Sequence, residues 1–320
     1  MMRRRAFIAG AGAALVAPRL VRAQAKVPLV AVVFSGTRES QAPQLARLVD
    51  GLRQAGWRDG DNVALAVRYA DGNGAAAPEI VRDVVALSPA LVVTSWATAV
   101  AEFVAARSPI PMVIGGGIDA SQYFGSQARP GGGITGLSAD GAVLWNKRIE
   151  LAKELVPAAR KLGCLFPVPQ NATNLGAIEA AARTVSVGVA MADVGGDVNR
   201  IDDTFAQLLA QGIDAMVTHH GGALAISGPR IAELARRYRV PTVVGTTSNM
   251  GAGVLASVGV EETYPLRTAY FADRILRGTD PALLPVELQD VHVVINVASA
   301  REFGLPVPLS VLVRADEVIE

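Results

Sequence analysis

Short apolar runs alternate with stretches of helical spacing twice along this chain, and that alternation restricts the fold more than any other feature. Val27 to Phe34 is a nearly unbroken apolar run closed by Ser35-Gly36, which predicts a buried strand. From about Ser40 to Ala55, the residues Leu45, Leu48, Val49 and Leu52 recur at helical spacing and Gly56 supplies the stop. Asn62 to Tyr69 then reads as a strand, Ala76 to Leu87 as a helix, Leu91 to Val93 as a strand, Ser95 to Arg107 as a helix and Met112 to Ile114 as a strand. The same grammar restarts with strands at Lys161 to Phe166, Val189 to Val194, Asp214 to Thr218 and Thr242 to Val244. Helices are predicted between them at Asn174 to Val187, Ile201 to Gln211 and Ala223 to Arg239. Strands and helices joined this closely require parallel sheets with right-handed crossovers, so the sequence predicts an α/β protein of two doubly wound lobes. Hydrophobic residues make up 51% of the chain but aromatics only 5%, so the cores must be built from Ala, Val, Leu and Ile, as suits buried parallel strands.

The residues ahead of the first strand have a different grammar. Arg3, Arg4 and Arg5 form a basic head, Ala6 to Ala17 is a Gly-rich apolar run too short to span a bilayer, and Ala23-Gln24-Ala25 is a small-x-small cleavage pattern. Residues 1–25 therefore read as an export signal cut after Ala25. The order Arg4-Arg5-Ala6-Phe7-Ile8 suggests the twin-arginine route, with an ordinary Sec signal carrying three arginines as the alternative. The five arginines of this segment, and its lack of acids, take the formal charge of the remainder from +1 to −4. A mildly acidic protein is poorly suited to nucleic acid or anionic membranes, so neither is expected as a partner. The single cysteine, Cys164, excludes an intramolecular disulfide and lies in the apolar run KLGCLFPV, which predicts a buried, inert thiol. No cysteine stands where a lipid anchor would need one, so a free periplasmic protein is expected. Export also distances the chain from cytoplasmic nucleotide pools, and no cofactor is expected.

In open parallel sheets ligands bind beyond the carboxyl ends of the strands. Two lobes facing each other would share one cleft, and the segments following strand ends become its candidate walls. These give the candidate ligand-binding residues Ser35, Gly36, Ser95, Trp96, Thr98, Gly116, Asp119, Asn171, His219, His220, Thr246 and Thr247. Most are small or hydroxyl-bearing, and several open a helix, where unpaired backbone N–H groups attract a carboxylate. Trp96 would stand at a helix start as a stacking or apolar wall, or pack between the lobes. Asp119 would anchor an ammonium group or cap a helix. His219 and His220 invite a metal reading, but adjacent residues in an extended segment point to opposite faces, and the only other histidine is His292, so no metal site is expected. Gly115-Gly116-Gly117 lacks the lysine and spacing of a nucleotide loop, Gly131-Gly132-Gly133 reads as a turn, and Ser35 has no nucleophile-elbow context. Trp57 and Trp145 read as packing residues on amphipathic elements. No catalytic residue is assigned.

Several segments resemble the substrate-binding proteins of ABC transporters in the tryptophan/tyrosine-type group. The tail is the most specific: Val294-Ile295-Asn296, Ala300 to Leu305, Pro308 and Arg314 to Glu320 follow the family's ending nearly position by position. Arg129 to Gly136, Glu150 to Pro157, Ile275 to Gly278 and Leu284 to Val286 are similar to its middle segments. The resemblance implies two Rossmann-like lobes joined by a hinge of three crossovers, near Ser138, near Ser257 to Glu261 and near Leu284 to Gln289. The helix from Glu262 to Arg277 then returns to the first lobe and the tail to the second. The implied division is 26–137 plus 258–284 for lobe 1 and 138–257 plus 285–320 for lobe 2. It also implies a monomer that binds a solute without transforming it and docks on a permease served by a cytoplasmic ATPase.

The chain departs from the family pattern where the solute should sit. Trp96-Ala97-Thr98 stands in place of a Gly-Thr-Pro turn, Gly221-Gly222 after His219-His220 in place of an Asp-Pro, and Thr246-Thr247-Ser248-Asn249 in place of bulky residues. The role expected is solute binding by hinge closure, with an amino acid or an aromatic or aliphatic carboxylate as ligand. A sensory protein presenting its ligand to a membrane receptor, or an exported enzyme on the same scaffold, are the alternatives. For the signal, N-terminal sequencing of exported protein should begin at Lys26; protein confined to the cytoplasm with Met1 intact would contradict the export reading.

Overall fold

The structure, a computed structural model, describes residues 27–167, 172–246, 250–260 and 264–320. The export signal, and with it the cleavage site, lies outside the described residues. The first half of the chain alternates as expected: β1 (Leu29–Phe34), α1 (Arg38–Gln54), β2 (Ala64–Tyr69), α2 (Ala77–Ala86), β3 (Leu91–Thr94), α3 (Ala97–Ala105), β4 (Met112–Gly115) and β5 (Ile134–Ser138). The second run comprises α4 (Gly141–Leu155), β6 (Lys161–Phe166), α5 (Ala172–Thr184), β7 (Gly188–Asp193), α6 (Ile201–Ala210), β8 (Ala215–Thr218), α7 (Gly222–Ile226), α8 (Gly228–Tyr238), β9 (Thr242–Val244) and β10 (Val254–Val260). The chain closes with α9 (Tyr264–Leu276), β11 (Glu287–Leu288), β12 (Val291–Asn296), α10 (Val297–Glu302), α11 (Leu309–Arg314) and β13 (Glu317–Ile319).

Among the described residues the strands form two sheets, β11-β5-β4-β3-β1-β2 and β13-β12-β10-β9-β8-β6-β7. The first is parallel throughout; the second is parallel except where β12 runs antiparallel to β10. Alternation along each buried strand feeds two core layers. In β1, Ala31 and Val33 face α2 and α3 through Ile80, Val84, Val100 and Phe103, whereas Val30 and Val32 face α1 and α9 through Leu48, Leu52, Phe271 and Ala272. In β6, Leu162, Cys164 and Phe166 pack under α4 and α5, while Leu165 faces α6 and α8. Burial pushes the Cys164 thiol up to about 12, so it is unionised near neutrality. Trp145 is buried in the second lobe's core, and the Trp57 indole donates to Asp273 of α9 at 2.9 Å.

Sheet membership shows how the chain passes between lobes. It leaves the first sheet after β5, leaves the second after Val260, and crosses again at Gln289–Asp290 between β11 and β12. The crossing segments are tied to β5: Thr135 Oγ1 donates to Leu284 O at 2.8 Å, and Gln289 N–H donates to Ser138 O at 3.0 Å. Two elements differ from expectation for local reasons. The helix expected over Ala223 to Arg239 is two helices, because Pro229 lacks an N–H for the ladder and Ser227 turns its hydroxyl onto Ala223 O at 2.7 Å. Strands β5, β10, β11, β12 and β13 enlarge each four-strand series, and two-residue β11 exists only through pairing with Leu137 and Ser138.

The return of α9 to the first lobe depends on a close helix contact. Gly51 of α1 lies so near α9 that a Cβ there would sit 2.6 Å from the Ala269 Cβ. Gly51→Val should therefore wedge the pair apart and lower unfolding stability by about 1–3 kcal/mol, the usual cost of overpacking. Urea denaturation followed by Trp57 fluorescence reads this directly; an unchanged midpoint would show that α9 is not held there.

Candidate functional site

Because the strands are parallel, every β1, β3, β4, β6, β7 and β8 ends its run at the same edge of its sheet, and the two edges face each other. Between them lies a cavity of about 90 Å³. The first lobe supplies Ser35 after β1, Gly72 and Gly74 after β2, Ser95, Trp96, Ala97 and Thr98 after β3, and Ile118 after β4. The second supplies Pro167 after β6, Gly196 after β7, and His219, His220, Gly221 and Ala223 after β8. A larger hollow lined by α8 arginines and Phe303 lies on the second lobe alone and is not between the strand ends.

The lobes touch backbone to backbone beside this cavity. The Gly74 N–H donates to Gly196 O at 3.3 Å. A Cβ on Gly74 would stand 3.3 Å from Gly196 Cα, and one on Gly72 would stand 2.7 Å from Ile226 Cδ1. Gly72 also has φ +78°, which glycine adopts without strain. The arrangement is a closed one, and glycines permit the approach.

Trp96 is the N-cap of α3, with its own N–H held by Thr94 Oγ1 at 3.1 Å and no side-chain cap for the helix. The first N–H groups of α3 are thus available to an anion at the cavity wall. The indole is only 6% exposed and belongs to the core cluster of Ala31, Val33, Val92 and Ile118. It lines the cavity and supports the lobe at once, so Trp96→Ala would cost about 3–5 kcal/mol of stability as the truncation of a core Trp.

The second lobe brings an unanticipated group. Arg148, on the inner face of α4, is fully buried, and among the described residues it has no acidic partner. Its Nε donates to Val258 O at 2.8 Å and its Nη2 contacts His220 Nδ1 at 3.2 Å. Burial without a counter-charge lowers the guanidinium to about 9. His219 is held near 3 by burial and the Arg148 charge, and burial with the charges of His219 and Arg148 pushes His220 well below its ordinary value. Both imidazoles are therefore neutral near neutrality. The extended-segment expectation fails here: the rings stack at 4.3 Å with 13° between planes, because the chain leaves β8 at Thr218 and turns into Gly221 at φ +76°. Among the described residues no group of three His, Cys, Asp or Glu could hold a metal ion.

Of the candidates read from sequence, Ser35, Ser95, Trp96, Thr98, His219 and His220 come together at the cavity. Gly36 packs against Ser40 and Gln41, and Gly116 is covered by Gln289 of the third crossing, whose Oε1 accepts from Gly117 N–H at 2.6 Å. Asp119 accepts from Ser121 N–H at 2.9 Å, closing a local turn, and is not a cavity wall. Thr246 does not line the cavity, and Asn171 and Thr247 lie outside the described residues. Sequence reasoning missed Gly72, Gly74 and Gly196, which act by having no side chain. It also missed Arg148, although a charge on the apolar stripe Leu144, Trp145, Ile149, Ala152 was the signal for it.

Residues 29–319 match the family described as ABC transporter substrate binding protein. The chain belongs to that family. Among curated proteins no sequence relative matches it. Its fold, that of type 1 periplasmic binding proteins, is shared with the ABC domain in complex with L-Trp from Streptococcus pneumonia, at 24% identity and TM-score 0.80, over 91% of this chain and 99% of that one. A conserved domain protein from Vibrio cholerae is similar at 24% identity and TM-score 0.79, covering 92% and 100%. The ligand-free, open form of a substrate binding protein with adhesive properties from Clostridium difficile aligns at 18% identity and TM-score 0.61, covering 92% and 99%. Members of the family bind a small solute and work with an ABC permease, typically outside the cytoplasm. Among the described residues no helix is long and apolar enough to cross a membrane.

Closure through the glycine contact is testable. Gly74→Val should leave the thermal midpoint of the solute-free protein nearly unchanged but hold the lobes apart. Small-angle scattering with the solute that co-purifies with the wild type should then give the open radius of gyration for the variant and a smaller one for the wild type. Equal contraction of both would show that Gly74 does not control closure.

Proposed function

We propose that this substrate-binding protein is the exported receptor of an ABC importer, and that it closes over a small organic carboxylate without transforming it. The observation that carries the reading is the lining of the cavity between the lobes. Its walls combine the hydroxyls of Ser35, Ser95 and Thr98 with the open amino end of α3 and the neutral imidazoles of His219 and His220. No acidic side chain stands among its described lining residues. That set favours an anion, and it offers no carboxylate partner for an ammonium group at the wall. A single water needs roughly 10–15 Å³ of such space, so a cavity of about 90 Å³ suits a compact solute in the closed state. The L-Trp carried by the Streptococcus structure supports a carboxylate with an aromatic body. Hinge closure follows from solute contacts with both lobes, and the closed form is then the one presented to the permease and its ATPase.

Mass spectrometry of material released on denaturing freshly purified protein should find a small carboxylate, and calorimetry with that compound should give one site per chain and no product on prolonged incubation. Trp96→Phe, which keeps the core filled, should weaken binding by about 1–3 kcal/mol. Unchanged affinity, or turnover of the compound, would overturn this reading.

A further inference from the structure

The two histidines at the cleft are not equivalent, and Arg148 makes them so. A guanidinium has donors only, so the His220 Nδ1 that meets Arg148 Nη2 at 3.2 Å must be the lone-pair nitrogen. With its neighbours keeping the ring neutral, the proton of His220 then resides on Nε2. His219 takes the opposite form, because its Nδ1 faces the His220 carbonyl oxygen and must donate to it. The His220 Nε2 is buried and, among the described residues, has no hydrogen-bond partner. The whole residue is only 9% exposed, yet it lines the cavity. A buried donor left unmade is costly, and a buried cation with no counter-ion is costlier. Both meet at His220: Arg148 holds one ring nitrogen, and the other, unpartnered one belongs to a residue that lines the cavity.

We infer that Arg148 locks His220 as a fixed Nε2–H donor to the cleft and that the pair selects an anionic oxygen, the solute's carboxylate, over its neutral amide or ester. The inference rests on the proposed reading of the cleft as the solute site and specifies which wall reads the charge. Arg148 is a positioning residue: it touches His220, Val258 O and, at 3.5 Å, Gly245 O, and acts on the solute through the imidazole and its field. The solute supplies the missing counter-charge, one ring removed. The lowering of the guanidinium by burial agrees with a cation still awaiting that charge.

The chain has three histidines, so the imidazole nitrogens of each can be assigned by nitrogen-15 NMR with His219→Gln and His292→Gln variants. At neutral pH the solute-free protein should show His220 with a bare Nδ1 and a protonated Nε2, and His219 the reverse. Arg148→Met should release the lock, giving mixed tautomers at His220, and Arg148→Lys should restore the Nε2–H form in part. A His220 that carries its proton on Nδ1, or is doubly protonated, overturns the inference, and this measurement needs no solute and no variant at Arg148.

The second arm uses paired probes: propionate and propionamide, lactate and lactamide, benzoate and benzamide, with glucose as a neutral control. Carboxylates should shift the Trp96 indole and His220 Nε2 signals and bind about tenfold or more tighter than their amides, since a charge-assisted bond is at stake. His220→Leu should abolish that preference, with His220→Gln retaining part of it through an amide donor. A probe that shifts Trp96 but binds equally as acid and amide overturns the anion selection and leaves the solute-binding role standing. Carboxylates that shift neither signal, or that bind away from Trp96, overturn the assignment together with the reading of the cleft.

Discussion

The contact between Gly74 and Gly196 organises the rest of the molecule. Each lobe has its own core, with a sheet filled on both faces. What they share is an edge, where Gly74 and Gly196 meet through backbone and the Ile226 side chain of the second lobe lies against Gly72 of the first. A contact made of glycines contributes little adhesion. Its value is geometric: it sets the distance at which Trp96 and the amino end of α3 face His220. A larger residue would keep the lobes apart, and a sticky one would keep them shut.

Polarity follows from strand direction. Parallel strands deliver their carboxyl ends to the same edge, so Ser35 after β1 and Ser95 and Thr98 after β3 reach the cleft without any long loop. The second lobe breaks the rule once, with β12 antiparallel to β10. That reversal lets the chain come back from β11 in the first sheet and finish in the second within a two-residue link, Gln289–Asp290. Gln289 then reaches across to the Gly117 amide. The linking segment is therefore tied to the loop after β4, which ends at the cleft with Ile118.

The order and type of elements were legible because the buried strands are continuous apolar runs and the helices carry clear stripes. β1, α1, β3, β6 and β8 fall within a few residues of where periodicity puts them. Strands such as β11 and β13 were not legible, since two or three half-exposed residues have no pattern of their own and are strands only by virtue of a neighbour. The site divides in the same way. Residues that open a helix after a strand were visible as a class, and six of them line the cavity. Gly116 and Asp119 belong to the same class but serve the third crossing and a local turn, and nothing in their immediate sequence separates those duties from binding. The helix break at Pro229 was visible in principle, as a proline inside an apolar stripe, but competed with a strong helical pattern over Ile231, Leu234 and Ala235.

Arg148 shows how a receptor reconciles selectivity with release. A guanidinium placed in the cavity itself would bind an anion through a direct ion pair, and breaking that pair on opening would demand full resolvation of both charges. Set behind His220, the same charge acts through a neutral ring. Its field still favours an anion, because a buried, poorly screened cation is felt across several ångströms of protein. The atom touching the solute is only an imidazole N–H, whose loss on opening is a single hydrogen bond. The stacked His219 adds to this economy: with its Nδ1 committed to the His220 carbonyl, it lies against both Trp145 and the His220 ring, restricting their rotation. On the proposed reading of the cleft, the histidine pair works as a rigid insulator between a permanent cation in the core and a transient anion in the cleft.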